Sequence, residues 1–205
     1  VGSSTGALHV LECEGFRMVY VQAMEGHHSK PIADIASTHE TDMAELTYPA
    51  EELFAVADEG GSVSVWTAKG FEARGRLEVP GECFTCVKMR GANIYTASLS
   101  GRVYIFDTDF LVLKCEIQAH ARAILAIALH PSQPWLTSVS EDTFVNIWNL
   151  ENLNTNEIEA LASKDLADRM LCGTAFVGEG GKDIAIVHYD SESISILPGD
   201  KVPGM

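Results

Sequence analysis

Histidine side chains can bind metal ions or transfer protons, and several histidines in this sequence are candidates for such chemistry. His120 could form a metal site together with His130 and Asp142, and His27 and His28 form a second candidate pair of ligands. Adjacent residues of an extended segment point to opposite sides, so one ion rarely binds both members of such a pair. We therefore predict no metal site, and for His27 and His28 we expect hydrogen bonds within a loop.

Acidic pairs and cysteines are the other candidates for chemistry. Glu51-Glu52, Asp58-Glu59 and Glu141-Asp142 could act as general acids and bases only if they converged on a pocket; at hairpin tips they are solvated. Cys83 and Cys86 have the spacing of a redox or zinc motif but lack the helix or second ligand pair that such motifs need. The five dispersed cysteines favour a reducing, cytoplasmic location, and we expect no catalytic residues and no cofactor.

The charge balance restricts the class of partner. The chain carries 29 acidic and 14 basic residues, a net charge of −15, and its basic residues do not cluster. A nucleic-acid partner is excluded on this ground, whereas a basic protein or peptide fits. The longest apolar run, Ala123 to Leu129, is far shorter than the roughly 18 to 20 residues of a membrane-spanning helix, so we expect a protein that does not span a bilayer. No signal peptide is predicted.

Internal repeats show which elements must position these side chains. Gly61–Trp66, Gly101–Phe106 and Thr143–Trp148 each place a turn residue before alternating apolar positions and end on an aromatic residue. Those aromatic residues stand 40 and 42 positions apart, close to the period of roughly 40 to 45 residues of a propeller blade. Gly6–Leu11 and Ser193–Leu197 are weaker copies. The period-two alternation predicts short antiparallel strands.

The repeat between residues 119 and 163 shows the four-strand pattern most clearly. Ile124–Leu129 is predicted to be an inner strand buried on both faces, because it is almost continuously apolar. Leu136–Ser140 and Phe144–Asn149 are predicted as the next two strands, joined by a tight hairpin. Ile158–Ala162 is the candidate fourth strand, although Asn156–Met170 also has apolar residues at helical spacing and remains an alternative.

These residues resemble the WD-repeat family. The match consists of Ala119-His120, the run Leu136–Asp142 and Ile147-Trp148-Asn149. It is firmest from Cys115 to Trp148 and extends loosely over most of the chain. The resemblance implies a β-propeller, a scaffold function and a structural hydrogen-bond tetrad formed by His120, Ser138, Asp142 and Trp148. A buried carboxylate must be paired and hydrogen-bonded, which such a tetrad would achieve.

The other repeats depart from this pattern. Ala55 occupies the predicted hydroxyl position of the second repeat, so we expect no full tetrad there. In the third repeat Phe106 and Ser100 replace the tryptophan and the aspartate, which predicts a tetrad without charge. Asp190 could cap the last hairpin, but Ile196 and Leu197 offer no aromatic donor. These blades are expected to depend on apolar stacking.

The predicted fold is therefore an all-β WD-repeat propeller of four-stranded antiparallel blades, present as an incomplete arc of about three whole and two partial blades. The expected division of residues 1–205 is the end of a blade at 1–24, whole blades at 25–79, 80–118 and 119–163, and a last incomplete blade at 164–205. The family usually forms seven-bladed rings. We accordingly expect a fragment whose missing blades come from the rest of the chain or from a companion chain.

The predicted function is that of a non-catalytic scaffold for protein–protein interactions. Arg122, His27 and His28 are the candidate partner-binding residues on the rim, since they lie in loops that enter inner strands. The alternative is a propeller-type hydrolase with carboxylates or a metal in a central channel. Only Asp34, Lys88 and His130 are obvious ionisable residues near the predicted axis.

Overall fold

The computed structural model describes residues 1–38, 52–153, 158–167 and 169–201, and these residues form seventeen β-strands. The strands are β1 Leu8–Glu14, β2 Arg17–Met24, β3 Ile32–Ser37, β4 Leu53–Asp58, β5 Ser62–Thr67, β6 Ala73–Glu78, β7 Phe84–Arg90, β8 Asn93–Ser98, β9 Arg102–Asp107, β10 Val112–Gln118, β11 Ile124–Leu129, β12 Trp135–Ser140, β13 Phe144–Asn149, β14 Glu159–Asp165, β15 Leu171–Val177, β16 Asp183–His188 and β17 Ile194–Pro198.

These strands form five antiparallel sheets in chain order. The first sheet pairs β1 with β2, the second contains β3 to β6, the third β7 to β10, the fourth β11 to β14 and the fifth β15 to β17. No described strand of the first sheet pairs with a strand of the fifth, so the series stays open. The prediction of three four-stranded blades and two partial ones is confirmed.

The first strand of each of the last four sheets begins with the same irregularity. A register shift occurs between Ile32 and Asp34, and equivalent shifts follow at the starts of β7, β11 and β15. Such a bulge bends a strand and increases its twist. The bent strands contact one another in succession, β3 with β7, β7 with β11 and β11 with β15. They therefore form the shared inner edge of the four sheets.

The apolar core consists of layers between neighbouring sheets. The layer between the second and third sheets includes the buried Leu53, Phe84 and Tyr104, and the layer between the third and fourth includes Ile105 and Ile124. Similar layers join the first sheet to the second and the fourth to the fifth. Each sheet thus buries its faces against its neighbours, as expected for stacked blades.

One detail of the fourth sheet differs from expectation, and its predicted fourth strand is confirmed. In β11, Ile124 and Ile127 are fully buried, but the other side chains stay partly exposed, because β11 is an edge strand of its sheet. The helical alternative is wrong, since Glu159–Asp165 is a strand paired with β13. Residues 154–157 and 168 lie outside the described residues. Within the described ranges, no helix is long and apolar enough to cross a bilayer.

Gly101 shows how closely one sheet approaches the loop that enters the next. Its φ is +83°, and its carbonyl oxygen accepts hydrogen bonds from the backbone N–H groups of Ala119 at 3.0 Å and His120 at 2.9 Å. A Cβ at this position would collide with the carbonyl oxygen of His120. The site therefore requires glycine both for its backbone conformation and for the space it leaves.

We expect Gly101→Ala to destabilise the protein more than Gly81→Ala. Gly81 has a similar φ of +86°, but a Cβ there would meet no atom within 4 Å. Both substitutions incur about 1–2 kcal/mol of backbone strain, and Gly101→Ala adds on the order of 1 kcal/mol from the collision. Urea unfolding of the two variants measures the difference. Equal losses of unfolding free energy would show that the close approach contributes nothing.

Candidate functional site

The fourth sheet brings together the four residues of the expected tetrad. The Nδ1 atom of His120 lies 3.1 Å from both carboxylate oxygens of Asp142, and its Nε2 atom lies 2.7 Å from Oγ of Ser138. The indole N–H of Trp148 donates to the same hydroxyl oxygen at 3.1 Å. His120 enters from the loop before β11, and the others lie on the β12–β13 hairpin, so the network ties that loop to the hairpin.

The polarity of this network keeps the histidine neutral. Nδ1–H of His120 donates to the carboxylate, so Nε2 is free to accept the hydroxyl proton of Ser138. Burial lowers the pKa of His120 despite the neighbouring charge of Asp142. Burial alone would raise the pKa of Asp142, but the backbone N–H groups of Ala121 and Phe144, together with His120, lower it. The site therefore holds a carboxylate and a neutral imidazole at neutral pH.

The same order of contacts, carboxylate to imidazole to hydroxyl, occurs in serine hydrolases. Here Ser138 is fully buried, and its oxygen already accepts the indole N–H of Trp148. A nucleophile needs access to substrate and a set of donors for the oxyanion. The buried Ser138 hydroxyl lacks this access, so we interpret the arrangement as structural.

His28 forms a matching network in the second sheet. Its Nδ1 atom lies 2.7 Å from Oδ2 of Asp58, and its Nε2 atom lies 2.6 Å from Oγ of Ser64. The indole N–H of Trp66 donates to Ser64 at 2.7 Å. Burial lowers the pKa of His28 although Asp58 opposes the shift. The assignment of His28 to an exposed rim is wrong, because the side chain is held in the interior by these two hydrogen bonds.

Strand register explains why this second network was missed. Val56, not Ala55, is the counterpart of Ser138, since Val56 pairs with Ser64 just as Ser138 pairs with Asn146. The Ser64 hydroxyl therefore occupies the place that the Ser138 hydroxyl has in the fourth sheet, but it comes from the opposite strand of the hairpin. The prediction that the second repeat lacks a full tetrad is wrong for this reason. A serine two residues before a tryptophan lies on the same face of the strand, and that spacing was the available signal.

The third sheet retains a buried charge, so the prediction of a tetrad without charge is wrong. The carboxylate of Glu82, only 8% exposed, accepts hydrogen bonds from Tyr104 at 2.8 Å and Ser100 at 2.9 Å, and Arg102 lies 3.3 Å away. Burial favours a higher pKa for Glu82, but hydrogen bonds from Tyr104 and Ser100 bring it below the ordinary value. Burial and the bond to Glu82 raise the pKa of Tyr104 to about 12. Glu82 enters from the loop before β7, just as the histidines enter before β3 and β11.

In the fifth sheet a histidine lies on the second strand instead. Nε2 of the buried His188 lies 2.7 Å from Oγ of Ser195 on β17. Burial lowers the pKa of His188. Asp190 follows in the turn with a φ of +54°, a conformation that aspartate tolerates better than most residues. Polar contacts, and not apolar stacking alone, therefore occur in each of the last four sheets.

The remaining rim candidates are exposed. The Arg122 side chain is 65% exposed, with Nη2 3.7 Å from Oε2 of Glu141. His27 is exposed, and its ring meets the edge of Trp66 at a centroid distance of 4.3 Å. Leu99 and Tyr189 are also exposed, in the hairpin turns of the third and fifth sheets on either side of Arg122. This end of the sheets thus presents mixed apolar and charged side chains to solvent.

The inner strands offer little for hydrolysis. Nζ of Lys88 lies 3.2 Å from Oδ2 of Asp34, which also accepts the backbone N–H of Val87 at 3.0 Å, so the two charges are paired. Among the described residues, no three His, Cys, Asp or Glu side chains are grouped so as to hold a metal ion. Cys83 and Cys86 are free thiols, and burial raises the pKa of both. These thiols are therefore less nucleophilic than an ordinary cysteine.

The chain is similar to known WD-repeat proteins over nearly its whole length. The family model described as WDR54 matches residues 1–198. WD repeat domain 54 of Rattus norvegicus is 30% identical over 201 residues, which cover 95% of this chain and 58% of the rat protein. WD repeat-containing protein 54 of Homo sapiens is 31% identical over 206 residues, with the same coverage of 95% and 58%.

A more distant similarity covers half of the chain. WD repeat-containing protein 90 of Homo sapiens is 29% identical over 102 residues, which cover 49% of this chain and 6% of the human protein. The chain spans about 58% of the length of the WD repeat-containing protein 54 relatives. Proteins with WD repeats generally act as scaffolds for protein–protein interactions. The repeated sheets, the polar networks and the match over residues 1–198 establish that the chain belongs to the WDR54 family of WD-repeat proteins.

Proposed function

We propose that the chain is a non-catalytic scaffold that binds a partner protein through the rim around Arg122. The observation that carries this proposal is the contrast between the buried polar side chains and the exposed side chains around Arg122. The buried imidazoles of His28 and His120 hydrogen-bond to serine hydroxyls within their sheets. In contrast, Arg122, Leu99 and Tyr189 are exposed at the same end of neighbouring sheets. A rigid set of sheets with exposed turns supports recognition of a protein surface.

The partner that fits this surface is a protein or peptide that is basic overall. The net charge of −15 favours such a partner and disfavours nucleic acid. Arg122 provides one planar, bidentate donor for an acidic group of the partner, and arginine is frequent at interface hot spots. We place the protein in the cytoplasm, where its thiols stay reduced, and propose that the remaining blades come from the rest of the chain or from a companion chain.

We expect Arg122→Ala to weaken capture of the partner by about tenfold or more without changing the melting temperature, because the side chain is largely exposed and its ion pair with Glu141 is long, 3.7 Å. Proximity labelling or pull-down with the complete protein compares this variant with the unsubstituted form. Arg17→Ala, on the exposed strand β2 of the first sheet, is the matched control. Identical partner profiles for both variants would remove Arg122 from the interface.

A further inference from the structure

A cavity of about 640 Å³ lies between the fourth and fifth sheets, at the ends of their strands opposite the tetrads. Its walls come from the loop between β11 and β12, the loop between β15 and β16, and the turn after β17. The lining includes His130, Trp135, Lys182, Asp183 and Asp200. This volume is typical of ligand-binding cavities. None of these residues belongs to the rim around Arg122.

His130 provides a hydrogen-bond donor of fixed direction in this cavity. Its Nδ1 atom accepts the backbone N–H groups of Ser132 at 3.1 Å and Gln133 at 2.9 Å, so the proton of the neutral ring lies on Nε2. The ring is 3% exposed and lies between Trp135 and Phe176 at centroid distances of 4.9 and 4.8 Å. Among the described residues, none accepts the Nε2–H group.

Gly181 keeps space open beside this donor. Its φ is +78°, and a Cβ there would lie 3.1 Å from Nε2 of His130 and closer still to the ring of Pro131. The backbone thus orients the ring through Nδ1, and the Nε2–H group is left available to a group that enters the cavity. That group must carry an acceptor such as a carbonyl oxygen.

The charges around the cavity indicate what accompanies that acceptor. Among the lining residues, Asp183 and Asp200 contribute two carboxylates and Lys182 one ammonium group. The guanidinium of Arg90 lies at the edge of the cavity, where it donates to the carbonyl oxygen of Gln133 at 2.8 Å. Oδ1 of Asp183 accepts the backbone N–H of Gly199 at 3.3 Å, which holds this carboxylate in place. The Trp135 indole adds a partly exposed aromatic surface. Carboxylates beside an aromatic ring favour a planar cation, and arginine stacks and forks in this way where lysine does not.

We propose that this cavity binds an arginine-bearing peptide segment of a partner protein. A backbone carbonyl of the segment accepts the Nε2–H of His130. The guanidinium group lies against the Trp135 ring and pairs with Asp183 and Asp200. The site shares with the proposed function only the premise that the chain binds proteins. It uses a different surface, so it can be tested independently of Arg122.

The test is a nuclear magnetic resonance titration of the full chain with acetyl-Gly-Arg-Gly-amide. We expect saturable shifts of the Trp135 indole and of the backbone amides of residues 130–135, 180–183 and 198–200. Asp200→Asn should weaken binding about tenfold, as expected for loss of a charge-assisted hydrogen bond. Glu159→Gln, which removes an exposed charge on β14, is the matched control and should bind as the unsubstituted chain does.

A second variant tests the Nε2–H donor of His130 separately. In His130→Asn the amide oxygen replaces Nδ1 as acceptor for Ser132 and Gln133, while the Nε2–H is lost, and we again expect binding about tenfold weaker. Arg122→Ala should leave the titration unchanged. Shifts that do not saturate, equal binding of acetyl-Gly-Glu-Gly-amide or acetyl-Gly-Lys-Gly-amide, or Asp200→Asn binding within about twofold would each overturn the proposal.

Discussion

Replacing Trp66 by alanine is expected to lower the free energy of unfolding by about 3–5 kcal/mol. The indole is 2% exposed and packs with Leu8 and Val56 in the layer between the first and second sheets. Its N–H donates to Ser64 at 2.7 Å, and the ring stacks on Phe54 at a centroid distance of 6.2 Å. The substitution therefore opens a cavity and removes a buried hydrogen bond. Urea unfolding followed by circular dichroism measures the loss.

Trp148→Ala provides the comparison, because the two tryptophans occupy equivalent strand positions. Trp148 is only partly buried, and its N–H···O distance to Ser138 is longer, 3.1 Å. We expect a smaller loss than for Trp66→Ala. Trp66→Phe should retain most of the packing and lose about 1 kcal/mol for the indole hydrogen bond. A Trp148→Ala loss equal to or above that of Trp66→Ala would mean that burial does not rank the two sites.

Stability is expected to fall steeply on acidification, beginning near pH 6.5. Burial lowers the pKa of four histidines in the folded protein, His28, His120, His130 and His188. In the unfolded chain each pKa returns to about 6.5, so below that pH the unfolded state binds more protons than the folded state. Stability is therefore lost as the pH falls from about 6.5 toward the folded-state pKa values. Each histidine contributes up to about 1.4 kcal/mol per pH unit in this window.

Urea unfolding between about pH 7.5 and pH 5 measures this dependence. This pH range lies above the range in which carboxylates titrate. The lowered pKa of Asp142 adds a separate loss only as the pH falls below about 4. His188→Gln retains a side-chain amide in reach of Ser195 but cannot titrate, so its stability should depend less on pH. An unfolding free energy that is flat across the histidine window would contradict the assignment of neutral, buried rings.

The sequence predicted the sheets well because their information is local. Turn residues before Val63, Val103 and Val145, followed by period-two alternation, define hairpins whose strands appear within a few residues of the expected bounds. The approach of His120 to Asp142 also follows from one repeat, because both ends of the contact match the family pattern. In these cases a single repeat contains both the sequence pattern and the residues that come into contact.

Ser64 and Glu82, the polar residues that depart from the family pattern, could not be predicted in this way. Ser64 supplies the hydroxyl that the family pattern places on the opposite strand of the hairpin, at the position of Val56. This exchange is evident only when the strand register, which pairs Ser64 with Val56, is known. Glu82 lies 22 residues before Tyr104, and its contact depends on how the loop before β7 packs on the next hairpin. A buried polar site requires only that donors and acceptors meet, so residues at different chain positions can satisfy it. Tertiary packing decides which residues do so.

The close contact at Gly101 has a consequence for how the chain holds together. The turn of the third sheet binds the backbone of the loop that carries His120, and Gly61 of the second sheet likewise accepts the N–H of Val79, before the loop that carries Glu82. The second and third sheets therefore each fix the segment that completes the polar network of their successor. Neighbouring sheets are coupled in the manner of nearest-neighbour repeats, so disruption of one sheet loosens the next and cooperativity is transmitted along the chain from blade to blade.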